Sequence, residues 1–225
     1  MGTDNLHSKR KAKLNVERRQ AKREPYDRVL IVCEDSESSP AYLKAMCDEL
    51  KLSTANIMIC GKECGSAPIN VVDYAIKNKE EYDKVYCVID RDQHWTFNKA
   101  LQKAKSKKVE MIVSIPCFEY WLLLHFEFTD QPFQAVLGSH CDTVVSKLKP
   151  HLHDYDKSKL KEYYQFLKLK QPNAIERAKQ RENACQHEDL GNKNPYTQLH
   201  HLVEYLENLK RLKSQKTSKS KHLAK

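Results

Sequence analysis

Residues 29–50 read VLIVCEDSESSPAYLKAMCDEL. Val29-Leu30-Ile31-Val32-Cys33 is a short, uninterrupted apolar run rich in β-branched side chains, the pattern of a strand buried on both faces. Directly after it, Ser39 and Pro40 supply an N-cap and a proline for the first helical position. Leu43, Met46, Cys47 and Leu50 then recur at i, i+3, i+4 and i+7, one face of a helix. A buried strand feeding a helix within a few residues is the opening of a crossover unit, which joins parallel strands.

The same alternation continues outward. A second strand is expected over Asn56 to Cys60. A loop through Gly61 and Gly65 follows, then a helix start at Ser66 and Pro68 with Ile69, Val72 and Ile76 facing inward. Val85 to Ile89 is almost wholly apolar and reads as a central strand. Phe97, Ala100, Leu101 and Ala104 mark a third helix, and Met111 to Ile115 a fourth strand. Beyond Pro116 the β signals fade. Residues 117–126 read as a short buried helix with Trp121, Leu122, Leu123 and Leu124 in the core, and 142–149, 158–170 and 174–189 as further helices. Asn194 and Pro195 are expected to open a last helix that turns Leu199, Leu202, Val203 and Leu206 inward. The fold class is α/β, a Rossmann-like parallel sheet with flanking helices. Its expected organisation is a basic N-terminal arm over 1–25, an α/β core over 26–128, a helical extension over 129–209 packed on that core, and a basic disordered tail over 210–225.

Charge follows this division. The 225 residues carry 39 Lys and Arg against 30 Asp and Glu, and the excess sits at the ends. Residues 1–25 hold eight basic groups and three acidic ones, and 210–225 hold seven basic groups and no acid. Such arms are either solvated ends or phosphate contacts, and in the second case binding is steeply salt dependent. No stretch resembles a signal peptide or approaches the ~20 apolar residues of a membrane span, so the chain is expected in the cytoplasm with no membrane partner. Cys33, Cys60, Cys87 and Cys117 lie in or beside strand-like runs, as core thiols do. A zinc ion on Cys60 and Cys64 is the other reading, weakened by the lack of a second pair at finger spacing. There are only five glycines, and Cys60-Gly61-Lys62-Glu63-Cys64 lacks the upstream glycine and the Ser/Thr of a P-loop. This excludes a self-contained nucleotide-binding motif of that kind.

In doubly wound sheets ligands bind beyond the carboxyl ends of the strands. Glu34-Asp35-Ser36-Glu37 follows the first strand, Asp90-Arg91-Asp92 the third, and Pro116-Cys117-Phe118-Glu119 the fourth. Side chains alternate on an extended chain, so Asp90 and Asp92 can share a side while Arg91 points away. Oxygen-only clusters suit Mg²⁺ or Mn²⁺. Asp35, Glu37 and Glu119 also fit as acids at helix N-termini, stabilised by the helix dipole. His94, two residues past the Asp90–Asp92 pair, is either a proton donor or substrate contact, or the partner of an acid.

Glu34 after strand one and Asp90-x-Asp92 after strand three resemble the TOPRIM domain of topoisomerases, primases and nucleases. Four blocks in order, VLIVCEDSESSPAYLKAM, YDKVYCVIDRDQHWTFNKAL, IPCFEYWLLLHF and NPYTQLHHLVEYL, resemble more closely the RloB family, TOPRIM-like proteins linked to antiphage and restriction loci. The resemblance spans about 26–209, with Asp35 standing where the common family form has Gly. It implies a TOPRIM-like fold and a Mg²⁺- or Mn²⁺-dependent endonuclease. Glu34 would be the acid/base or metal-linked glutamate, Asp90 and Asp92 the metal pair, and Glu119 a further ligand. His94, Glu37 and Arg91 would be substrate or proton-transfer residues. It also implies RNA, tRNA among them, or DNA as the partner, and control by an ATPase partner protein. The basic residues of the tails or of 157–181 would draw in the nucleic acid. A non-catalytic nucleic-acid-binding or scaffolding subunit is the alternative. Topoisomerase action would need a nucleophilic tyrosine domain and strand gates for which the chain is too short.

Overall fold

The computed structural model describes residues 26–54, 56–61, 63–91, 94–135 and 138–223, with side chains as far as Leu212. The basic arm over 1–25 therefore lies outside the described residues, and so does Asp92. A five-stranded sheet forms the centre: β1 (Val29–Cys33), β2 (Ile57–Cys60), β3 (Lys84–Asp90), β4 (Glu110–Ile115) and β5 (Tyr196–Thr197), in the order β2-β1-β3-β4-β5. The first four strands are parallel, with Cys33 opposite Val88 and Asp90 opposite Ser114. β3 is the central strand, as its apolar run requires.

The strands' period of two sorts the core into two layers. Leu30, Val32, Cys87, Ile89, Val113 and Ile115 face α2 (Pro68–Asn78) and α3 (Phe97–Lys107), against Val71, Val72, Ala75, Ala100 and Ala104. Val29, Ile31, Cys33, Tyr86, Val88 and Ile112 face the opposite layer, built from α1 (Ser38–Glu49), α4 (Glu119–Leu124), α5 (His140–Leu148), α6 (Leu160–Leu167), α7 (Gln171–Ala184) and α8 (Leu199–Leu223). Trp121, Tyr42 and Tyr120 are the largest fully buried side chains of that second core. Cys33, Cys60, Cys87 and Cys117 are buried free thiols. Cys64 donates to the carbonyls of Cys33 and Gly61, which gives it a protein partner without metal. No helix among the described residues is long and apolar enough to cross a membrane.

Four sequence expectations need correction. Asn194-Pro195 does not open the last helix. Instead, Tyr196 and Thr197 pair antiparallel with Ile115 and Ser114, and Thr197 Oγ1 accepts the Leu199 N–H at 3.2 Å, so the cap signal lies three residues later. β-forming Tyr and Thr beside an open strand edge outweigh the local Asn-Pro cue. The segment read as an extension packed on the core thus supplies the sheet's fifth strand. The helix expected over 158–170 is shorter, Leu160–Leu167, and the one expected over 174–189 is shorter and starts earlier, at Gln171, because Pro172 occupies the first turn of α7 and forces the break before it. From 210 a disordered tail was expected, yet the backbone stays helical to Leu223. Residues 210–223 contain neither Gly nor Pro, and Lys and Arg near a helix C-terminus are favoured by its dipole.

Candidate active site at the carboxyl edge of the sheet

The strand order reverses direction between β1 and β3, so the crevice beyond their carboxyl ends is the switch point of the sheet. Glu34 and Asp90 meet there. The Glu34 N–H continues the ladder to the Val88 carbonyl at 2.9 Å. Its own carboxylate turns back, and Oε2 accepts the Asp90 N–H at 3.0 Å. One oxygen of Glu34 is thereby fixed to the backbone of the residue that carries the neighbouring acid.

Asp35 is tied to the start of α1. Its carboxylate accepts from the N–H groups of Glu37 and Ser39, at 2.8 and 3.1 Å, and from the Ser39 hydroxyl. The helix-start reading of Asp35 therefore holds, although the residue that accepts these bonds lies four positions before Ser39. Gly61 packs against this loop so closely that a Cβ there would lie 2.7 Å from the Asp35 carbonyl oxygen. The result is a cleft of about 470 Å³ lined by Glu34, Asp35, Glu37, Ser38, Gly61, Gly65 and Lys157. Glu37 sits on its exposed lip.

Glu119 enters from the first turn of α4 and is 1% exposed. The TOPRIM resemblance implies that strand four neighbours strand one and so brings Glu119 to this edge, but β3 lies between them. It arrives instead by way of the helical layer. Its Oε1 accepts from Ser38 Oγ at 3.3 Å and Tyr155 OH at 3.1 Å, and pairs with Lys157 Nζ at 3.1 Å. Burial alone would raise its pKa, but Lys157 and the hydrogen bonds, one from the Cys117 thiol among them, outweigh it and hold the carboxyl below its ordinary value. Glu119 is thus a deep, neutralised anion more than a free acid at a helix start.

Asp90 is the opposite case. Burial, then the charges of Glu119, Asp35 and Glu34, push its carboxyl well above the usual carboxylate range. Among the described residues no hydrogen-bond donor relieves it. An all-oxygen donor set with one carboxylate held at high energy by three others fits a hard divalent cation, which Mg²⁺ takes through one or two carboxylates with water completing the shell. Glu34 and Asp90 would hold it. The cluster is open: among the described residues the one trio of ligand atoms within 4.8 Å of one another is Glu182, His200 and His201, on α7 and α8.

Two predicted residues have partners outside the carboxylate cluster. Arg91 donates to the Gly191 carbonyl and lies 5.1 Å over the Phe97 ring. His94 accepts the Thr96 N–H on Nδ1 at 3.2 Å and serves the start of α3. Beside it Trp95 is 85% exposed, its ring stacked on His94. The sequence marks Lys157 only as one basic residue in 157–181 and gives no sign of Ser38 or Tyr155. The local signal near Lys157 was Asp156, which caps the 3-10 turn Lys157–Lys159 through the Ser158 N–H at 2.9 Å.

The family model described as RloB-like protein matches residues 29–206, most of the chain. The chain belongs to the RloB-like family. No curated protein and no solved structure matches it. The matched span includes Glu34, Asp90, Glu119 and Lys157 and leaves both basic ends outside.

Proposed function

We propose that this RloB-like protein is a metal-dependent nuclease that hydrolyses phosphodiester bonds at the β1–β3 crevice, with Mg²⁺ or Mn²⁺ held by Glu34 and Asp90 and with Asp92 as the third acid. The observation that carries the reading is the meeting of two acids at the switch point, where Glu34 Oε2 accepts the Asp90 N–H at 3.0 Å and where burial, then Glu119, Asp35 and Glu34, disfavour the Asp90 anion. A divalent ion in such a site supplies charge stabilisation for the phosphate and an acidified water.

The chain's own groups divide the remaining work. Glu34, oriented by the Asp90 N–H, is placed to take a proton from an attacking water. Lys157, at the cleft wall and 49% exposed in its side chain, is kept cationic by Glu119 and can meet a phosphate oxygen. Ser38 and Tyr155 keep Glu119 in place. The exposed Trp95 offers a stacking face for an unpaired base, which favours RNA with single-stranded loops, tRNA among them, over duplex DNA. His94 and Arg91 have no catalytic part in this reading.

Family membership supports a cytoplasmic role in antiphage defence. The lack of a P-loop or GxGxxG motif supports control by a separate ATPase partner. The test is to sequence RNA and DNA ends after induced expression of wild type, Glu34→Ala and Asp90→Ala, beside purified-protein cleavage with Mg²⁺, Mn²⁺ or EDTA. Metal-dependent ends that vanish in both variants support the nuclease. Nucleic-acid binding without cleavage, by protein assayed with its ATPase partner, refutes it in favour of a scaffolding subunit.

A further inference from the structure

We propose that Glu182, His200 and His201 form a second metal site, selective for a borderline ion such as Zn²⁺, that clamps α7 to α8. Glu182 lies in the last turns of α7, and the two histidines open α8. His200 Nε2 stands 3.0 Å from Glu182 Oε2, and His201 Nε2 stands 3.0 Å from Glu182 Oε1. The two imidazole rings are 4.0 Å apart between centroids. All three ligand atoms lie within 4.8 Å of one another. Ligands about 2.0–2.1 Å from a shared zinc ion sit roughly 3 Å apart, so the ion can be accommodated with small side-chain adjustments.

The carboxylate has the outer support that such a site needs, although His200 Nδ1 is buried without a hydrogen-bond partner among the described residues. The Tyr196 hydroxyl donates to Glu182 Oε1 at 2.8 Å, which orients the carboxylate from outside the ligand set. The His200 side chain is fully buried and therefore fixed, whereas His201 is half exposed and Glu182 about a quarter exposed. That leaves an entry path and room for water in the fourth position, the arrangement of three-ligand zinc sites. The two imidazole nitrogens favour zinc and its neighbours over Mg²⁺. None of the three residues lines the carboxylate cleft, so this site is separate from the proposed nuclease centre and does not depend on it.

The experiment is a Zn²⁺ titration of the full-length, EDTA-treated and reduced protein, in excess Mg²⁺ so that the sheet-edge carboxylates do not compete. Wild type, His201→Ala, Glu182→Gln and Glu34→Ala are compared, with circular dichroism to verify folding. The expected result is one equivalent of zinc bound by wild type and by Glu34→Ala, weakened about tenfold or more in His201→Ala and Glu182→Gln. It should come with a zinc-dependent rise in melting temperature that both site variants lose. An anomalous zinc peak between the two Nε2 atoms in wild-type crystals provides a readout that needs no variant. Absence of binding by wild type, undiminished binding by folded His201→Ala, or an anomalous peak elsewhere overturns the proposal.

Discussion

Replacing Asp90 with Asn is expected to stabilise the metal-free protein at neutral pH while abolishing cleavage. The wild-type carboxylate faces Glu34, Asp35 and Glu119 and has its pKa raised well above 3.8. An amide removes the charge and presents an N–H₂ to the same neighbours, so repulsion becomes hydrogen bonding. Asp90 as a residue is only part-buried, and solvent screening keeps the effect modest, about 1 kcal/mol. For a domain of this size that is a rise of roughly 2–4 °C in melting temperature. The pH dependence has a fixed sign. Below the unfolded pKa the group is neutral in both states and the variants should be equal. As pH rises above the unfolded pKa, the unfolded chain releases this proton while the folded carboxyl keeps it, so wild type falls behind until the raised folded value is passed. Thermal unfolding in EDTA from about pH 3 to about pH 8 reads both features. Saturating Mg²⁺ should reverse the order, since a ligand at a hundredfold its Kd adds about 2.7 kcal/mol to the state that binds it. An Asn variant that is less stable at neutral pH, or whose advantage does not shrink in acid, refutes the electrostatic reasoning behind the site.

Glu119→Gln should act in the opposite direction. Its lowered pKa means that its contribution is present above about 4.5 and is lost as pH falls through the folded value. Losing the charge-assisted bonds should cost about 1–2 kcal/mol at neutral pH, discounted because Lys157 can turn to water. Equal melting temperatures at pH 7 would contradict the buried-anion reading. Trp95→Ala should leave stability unchanged and weaken binding of single-stranded RNA by about 1–3 kcal/mol. Unaltered affinity by fluorescence anisotropy removes Trp95 from the interface. Deleting 210–225, with its seven basic groups, should weaken nucleic-acid binding, flatten its salt dependence and leave the melting transition in place. A collapsed transition would instead assign that segment to the fold.

Much of the fold is local and was therefore legible. The buried runs that became β1, β3 and β4 announce themselves by continuous apolar β-branched sequence. Pro68 marks the first turn of α2, and Glu34 and Asp90 lie at the carboxyl edge because the parallel strands β1 and β3 end there. Glu34 and Asp90 were found in this way, and their meeting follows from the pairing of β1 with β3.

Other features depend on which distant segments pack together, and no local period encodes that. The sequence alone determined the parallel α/β class, the helix faces and the acids at the strand ends. Only tertiary structure decided that β3 separates β1 from β4, and that Tyr196 and Thr197 complete the sheet rather than begin a helix. It also decided that Lys157 and Tyr155 close on Glu119 across 36 or more residues, while Arg91 turns to Gly191. The physical reason is range. Propensity, capping and side-chain alternation act over one turn or one strand, whereas strand order and buried ion pairs are fixed by the burial of both sheet faces at once, a property of the whole chain.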